Sequence, residues 1–375
     1  MKNTHKILFV NANSGWAGGE INLFTILEHL DKNLRPILLS PSEGPLVDNA
    51  RAANIANIII SMHYLTKKTS PLKYLRTVQE VIKVIKENSI DLVYVNDLFA
   101  NQFSLPAAKL SRVPILCHVR VPITRKHLIT NCINFSDMIV CTSKSVSNVF
   151  PRRFKKKSKM KVIYSGVDIE KFDFKKGSFF RNAFNLDTKD FVVAVVGSIE
   201  PRKGQDYFIR SAPDILKKIN NVKFIIAGKT VAENKLYASK LLCLVDDLKL
   251  QNNVIFTGFI KNIPDLMNSI DLLVLPSLEE AFGRVLIEAM ATRKPIVATK
   301  VDGILEAVID KQTGILVPPK DPGALAEAIV YLLKNPVIAK KMGEEGRKRV
   351  ERFFRIEETS KEINDILLEL LRKKT

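Results

Sequence analysis

The sequence predicts an α/β protein built from two doubly wound parallel sheets. Short apolar runs of strand length alternate with amphipathic helical stretches from one end of the chain to the other. The alternation breaks once, near the middle, and then starts again. With 375 residues the chain has room for two domains, each with its own core.

In the first series the strands read KILFV (6–10), PILLS (36–40), ANIII (56–60), DLVYV (91–95), PILCHV (114–119) and DMIVCT (137–142). Helices are predicted between them at 19–30, 72–88 and 100–111. The second series reads FVVAVVG (191–197), NVKFIIAG (221–228), NVIFTG (253–258), DLLVLP (271–276), KPIVAT (294–299) and GILVP (314–318). Its helices fall near 204–219, 232–249, 283–292, 302–309 and 321–334. The stretch 165–188 is rich in Phe and Lys, turn-prone and without period, which places the linker there. Domains are therefore expected at 1–170 and 185–352. An amphipathic helix at 356–371 is expected to carry 353–375 back onto the first domain. Two such sheets facing each other put a ligand cleft at the carboxyl ends of their strands.

A composition of 46% hydrophobic and 26% charged residues belongs to a soluble globular protein. The start, MKNTHKILFV, has too short an apolar run for a signal peptide, and no stretch approaches the roughly 20 apolar residues of a membrane span. The expected location is the cytoplasm, or a membrane surface facing it. Cys117, Cys132, Cys141 and Cys243 form no CxxC pair and no ligand spacing with His, so free thiols are expected, and no metal site or disulfide.

The net charge of +19 is uneven: residues 1–184 carry 28 Lys/Arg against 13 Asp/Glu, the remainder 30 against 26. The densest run, PRRFKKKSKMK (151–161), has seven basic residues in eleven and no acid. Phospholipid headgroups, an anionic acceptor or nucleic acid would each satisfy such a surface, and so would solvent alone. Phe150 and Phe154 beside the run suit peripheral binding to anionic lipid. Nucleic acid is disfavoured, because no RNP-like aromatic set, helix-turn-helix or zinc spacing is visible.

Four places carry chemistry. In PSLEEAFGRVLIEAMATRKPIVAT (276–299) a strand leads through Glu279 and Glu280 to a helix opening at Gly283 and containing Glu288. Backbone N–H groups of Gly283, Arg284 and Val285 at that helix start suit a phosphate. If the Glu280–Glu288 span is helical, its carboxylates lie about 12 Å apart. That is too far for the pair of carboxylates flanking a hydrolysed glycosidic bond. Two ends of one extended ligand fit better, although spacing alone favours glutamates that are simply exposed. In GSIEPRKGQD (197–206), Arg202 and Lys203 stand where a helix begins, an arrangement for clamping a diphosphate. NSGWAGGEINLF (13–24) is glycine-rich but lacks GxGxxG. Gly18 and Gly19 would let it approach a ligand, with Trp16 over an acceptor, unless it is simply a tight turn. His118 and Arg120 stand at the carboxyl end of strand 114–119, where neutral imidazole can hydrogen-bond a sugar or reacting oxygen.

Together these motifs resemble the retaining glycosyltransferases of the GT-B fold, family 4 (glycosyl transferases group 1), over nearly the whole chain. The carriers are GWAGGE, His118, the SGVD run with Phe172, GSIEPRKGQD, EAFGRVLIEAMATRKPIVAT, VDGILEAV and TGILVPPKD. The E-x7-E element, Glu280 to Glu288, is the most specific. The resemblance implies two Rossmann-like domains, the first for the acceptor and the second for a nucleotide-sugar donor, UDP- or GDP-linked. It implies no cofactor and no metal. Lys203, Arg202 and the Phe282–Gly283–Arg284–Val285 backbone would hold the diphosphate, Glu288 the ribose and Glu280 the donor sugar. His118 and the Gly18–Gly19 loop would approach from the first domain. The acceptor would be a glycan or lipid-linked sugar in cell-surface polysaccharide, lipopolysaccharide or glycolipid synthesis. Three positions depart from the family: Ser198 where Arg is common, with Arg202 to supply the charge; Arg293 where the helix commonly ends in Gly; and Ala281 for Gly. The competing classes are a nucleotide-sugar epimerase of GT-B shape and a basic nucleic-acid-binding protein.

Overall fold

The computed structural model describes residues 4–66, 69–152, 159–172, 178–230 and 232–373. They form two compact units, Met1–Gly166 with Ile356–Thr375, and Val167–Arg355.

The first unit holds a seven-stranded parallel sheet in the order β3-β2-β1-β4-β5-β6-β7. Its strands are β1 His5–Val10, β2 Leu34–Ser40, β3 Ala56–Ile59, β4 Leu92–Val95, β5 Ile115–Val119, β6 Met138–Cys141 and β7 Met160–Val162. β1, β4, β5 and β6 are nearly continuous Val/Ile/Leu runs buried on both faces, as a parallel sheet under two helical layers requires. β1 pairs with both β2 and β4, so the order of strands reverses direction between β1 and β4.

Helix Ile356–Arg372 buries Ile363, Ile366, Leu367, Leu370 and Leu371, a single stripe at helical spacing, in a cluster with Ile7, Phe9 and Tyr94. Asn364 accepts from Asp31 N at 3.2 Å and donates to His29 O at 3.0 Å, which fixes the helix against the first βα connection.

The second unit holds a six-stranded parallel sheet in the order β10-β9-β8-β11-β12-β13. These are β8 Phe191–Val196, β9 Val222–Ala227, β10 Val254–Gly258, β11 Leu272–Leu275, β12 Ile296–Thr299 and β13 Ile315–Val317. The reversal here lies between β8 and β11. In open α/β sheets this is where ligands bind, outside the carboxyl ends of the strands.

All twelve predicted strands are present, each within two residues at its ends. β7 and the helices Pro45–Ala52, Arg125–Thr130, Lys144–Asn148 and Pro336–Phe353 were not anticipated; the first three are too short to show a period.

The predicted linker needs the larger correction. Helices Ile169–Phe172 and Ser178–Ala183 belong to the second unit, with Phe172, Phe180 and Leu186 buried there. Arg181 donates to Ser269 O at 3.0 Å and pairs with Asp271 at 2.9 Å. One turn of helix is too short for a periodicity signal, so these anchors looked like turn residues. The return is also later than 353: Phe354 packs edge-on against Phe282 of the second unit at 5.3 Å, and the chain re-enters the first unit at Ile356. Cys117 and Cys141 are buried free thiols; all four cysteines are unbridged.

Candidate functional site

The loops after β8 and β11, flanking the reversal point of the second sheet, bring two predicted residues into contact. Lys203 Nζ forms an ion pair and hydrogen bond with Glu280 Oε2, although the residues are 77 apart in sequence. Their side chains keep 14% and 9% exposure. The pair is therefore largely withdrawn from water but still reachable.

Backbone geometry holds it. Gly204 has φ +67°, and a Cβ there would lie 2.1 Å from Pro276 O. Only glycine lets the Lys203 loop touch the end of β11. Leu278 N donates to Arg202 O at 2.7 Å, joining the loops again. Behind Glu280, Gly303 N donates to its carbonyl at 3.1 Å, and a Cβ on Gly303 would sit 2.0 Å from Ala281 O.

Arg202 differs from the expectation. Its guanidinium donates to both carboxylate oxygens of Glu200, at 3.0 and 2.7 Å, and Ser198 Oγ donates to the same group at 2.5 Å. Arg202 is thus tied to Glu200 within its own loop, beside Ser198 whose missing charge it was expected to replace.

Gly283, at φ +83°, precedes helix Arg284–Ala291. The turn from Glu280 to Gly283 is loop, so the helical rise that gave about 12 Å between Glu280 and Glu288 does not apply over the full span. Glu288 accepts from Arg284 Nε at 2.8 Å, one turn away and nearly as buried. Phe282 turns its ring inward onto Phe354, which leaves only its backbone for a ligand. Arg293 takes the left-handed φ of +56° that ends the helix, in place of glycine, while Thr292 Oγ1 donates back to Ala289 O at 2.9 Å.

In the first unit, the ends of β1, β4 and β5 carry a buried polar network. His118 is 1% exposed, and its Nδ1 lies 2.5 Å from Tyr94 Oη. Burial, reinforced by the neighbouring Arg120 cation, pushes its pKa well below the ordinary imidazole value, so the ring is neutral. Arg120 donates to Tyr94 Oη at 3.3 Å and to Asn96 Oδ1 at 2.7 Å. Asn96 donates to Asn11 Oδ1 at 2.7 Å and to Gly19 O at 3.3 Å, and Asn11 donates to Glu20 at 3.3 Å. Gly18 and Gly19 form the first turn of helix Gly18–Glu28 and not a loop; a Cβ on either would meet nothing within 4 Å. Trp16 packs edge-on against Phe24 at 5.4 Å.

Two sequence profiles cover these halves. The one described as glycosyl transferases group 1 matches residues 178–349, and the one described as Glycosyltransferase Family 4 matches 16–171. The chain belongs to the family 4 glycosyltransferases.

This glycosyltransferase is 29% identical over 223 residues to the capsular polysaccharide biosynthesis glycosyltransferase CapM of Staphylococcus aureus, covering 58% of each chain. It is 24% identical over 351 residues to the UDP-Gal:alpha-D-GlcNAc-diphosphoundecaprenol alpha-1,3-galactosyltransferase of Escherichia coli, covering 89% of each. Its fold matches that of HepE from Anabaena, crystallised with UDP and glucose, at a TM-score of 0.87 and 23% identity over 97% of this chain and 99% of that one. The architecture is GT-B.

In the glycosyltransferase the predicted residues fall into two groups. Lys203, Glu280 and Gly283 stand in the connections after β8 and β11, and Arg284, Val285 and Glu288 on the helix that follows Gly283; His118 and Arg120 join the network of the first unit. Tyr94, Asn96 and Asn11 were missed, and Glu20 was quoted only as the end of GWAGGE. For Asn11 and Asn96 the one visible signal was position, since each directly follows a strand. Of the basic run, 153–158 lie outside the described residues, Phe154 and Lys155–Lys157 among them. Phe150, just past the helix after β6, is buried at 3% exposure and so offers no side chain to a lipid surface. No helix among the described residues is long and apolar enough to cross a membrane, and no three His, Cys, Asp or Glu side chains gather among them as metal ligands.

Proposed function

We propose that this glycosyltransferase moves a sugar, with retention and without a metal, from a UDP- or GDP-linked donor to a glycan or lipid-linked acceptor of a cell-surface polysaccharide, lipopolysaccharide or glycolipid. The Lys203–Glu280 pair at the reversal point of the second sheet carries the reading. A fixed cation beside a helix start suits the diphosphate leaving group, whose charge grows as the glycosidic bond breaks. The carboxylate suits the sugar hydroxyls. Without a donor the two side chains satisfy each other; a diphosphate would compete for Lys203 and free Glu280 to accept from the sugar. The chemistry is then mainly positioning and electrostatics. The names of the Staphylococcus and Escherichia relatives support an acceptor of this class.

Thermal-shift titration with UDP-, GDP- and ADP-sugars tests the donor, because ligand binding to the folded state raises Tm. One of them should stabilise the wild type, and Lys203→Ala or Glu280→Ala should remove both that response and donor turnover. Full turnover in either variant would rule out the assignment.

The same reading places the protein at the inner membrane surface through its basic first half. Flotation with anionic vesicles should fall when Lys155, Lys156 and Lys157 become Glu, and unchanged flotation removes the membrane claim.

A further inference from the structure

The Nε2 of His118 is buried and has no hydrogen-bond partner among the described residues. Such an atom costs free energy unless something meets it. What it can meet depends on whether it carries a proton, and its surroundings settle that. The Tyr94 hydroxyl accepts from Arg120 at 3.3 Å. Its own proton needs an acceptor, and His118 Nδ1, at 2.5 Å, is the one beside it. If Nδ1 accepts, the proton of the uncharged ring stands on Nε2.

We propose that Tyr94 is a positioning residue that fixes His118 as the Nε2–H tautomer, making it a hydrogen-bond donor to an oxygen of the bound substrate. This rests on the glycosyl-transfer reading and sharpens it. A donor strengthens its bond as negative charge collects on the oxygen it faces, whereas a base would need a lone pair that Nε2 does not have. Arg120 is part of the device, because its hydrogen bond turns the Tyr94 proton toward the imidazole. Asn96, which accepts from Arg120 Nε at 2.7 Å, keeps that guanidinium in place.

Long-range nitrogen–proton spectra of the full-length, nitrogen-15-labelled protein read the tautomer directly. The chain has only 5 histidines, so His118→Gln identifies the His118 signals by their loss. The wild type should show Nε2 protonated and Nδ1 bare. Tyr94→Phe, which keeps the buried ring, should mix in the other tautomer with little change in thermal unfolding. A wild-type Nδ1–H, or a tautomer unmoved by Tyr94→Phe in a folded protein, overturns the proposal.

Turnover of the UDP-, GDP- and ADP-sugar panel then separates donor from base. The Gln amide keeps an N–H near the place of Nε2, so His118→Gln should retain activity that His118→Ala loses by on the order of 10²-fold. Equal loss in both overturns the donor role. A wild type that turns over no sugar defeats the glycosyl-transfer reading, while the spectra still decide what Tyr94 does.

Discussion

A neutral, buried histidine leaves a mark on stability as well as on chemistry. In the unfolded chain His118 titrates near its ordinary value of 6.5, but in the folded unit its pKa lies well below that. Below about pH 6.5 the unfolded state therefore binds a proton that the native state refuses, and stability falls as the solution is acidified. The loss is up to about 1.4 kcal/mol per pH unit until the folded-state pKa is reached. Urea unfolding of wild type and His118→Gln across this window should show the steeper acid decline in the wild type; parallel curves would contradict it. His118 was legible in the sequence because it ends a strand at the edge where ligands bind. Tyr94 was not, since it lies 24 residues earlier in an apolar run and reads as core. Lys203 and Glu280 were each legible from their loops, but a distance of 77 residues carries no sign that they touch. The tie between Arg202 and Glu200 was missed for a simpler reason: a cation in a ligand loop was read outward, although an acid stood two residues away.

At the scale of elements, the site depends on two backbones that nearly collide. Alanine at Gly204 would combine a left-handed φ with a Cβ 2.1 Å from Pro276 O. Gly204→Ala should destabilise the second unit by about 2 kcal/mol or more. Gly18→Ala, with open space around its Cβ and a helical backbone, should be neutral or stabilising by up to about 1 kcal/mol. Denaturant unfolding of the two variants measures the contrast, and equal effects would mean that the loop contact is not what selects glycine. The strands were legible because parallel strands buried on both faces are continuous apolar runs. One-turn helices such as Ile169–Phe172 were not, because four residues cannot display a 3.6-residue period.

For the whole molecule, the chain leaves its first unit at Gly166 and returns at Ile356. The returning helix was predicted from its amphipathic stripe, and Ile363, Ile366, Leu367, Leu370 and Leu371 complete a core that begins at Ile7 and Phe9. Deleting residues 356–375 should uncover that apolar seam. The shortened protein should bind a hydrophobic dye and lose the cooperative unfolding of the first unit, while the second keeps its own transition. A truncated protein with two intact transitions would show that the helix is dispensable.

The same route sets an order of events during synthesis. The last piece of the first sheet's covering layer is translated only after the entire second unit, some 190 residues behind Gly166. At ordinary ribosome speeds the open seam waits for about 10 to 40 s. Throughout that interval the nascent first half lacks the helix that packs over Ile7 and Phe9, while the second unit is still being made. The half that begins the chain is thus the last to be complete in sequence, and its seam cannot close before Ile356–Arg372 has been made.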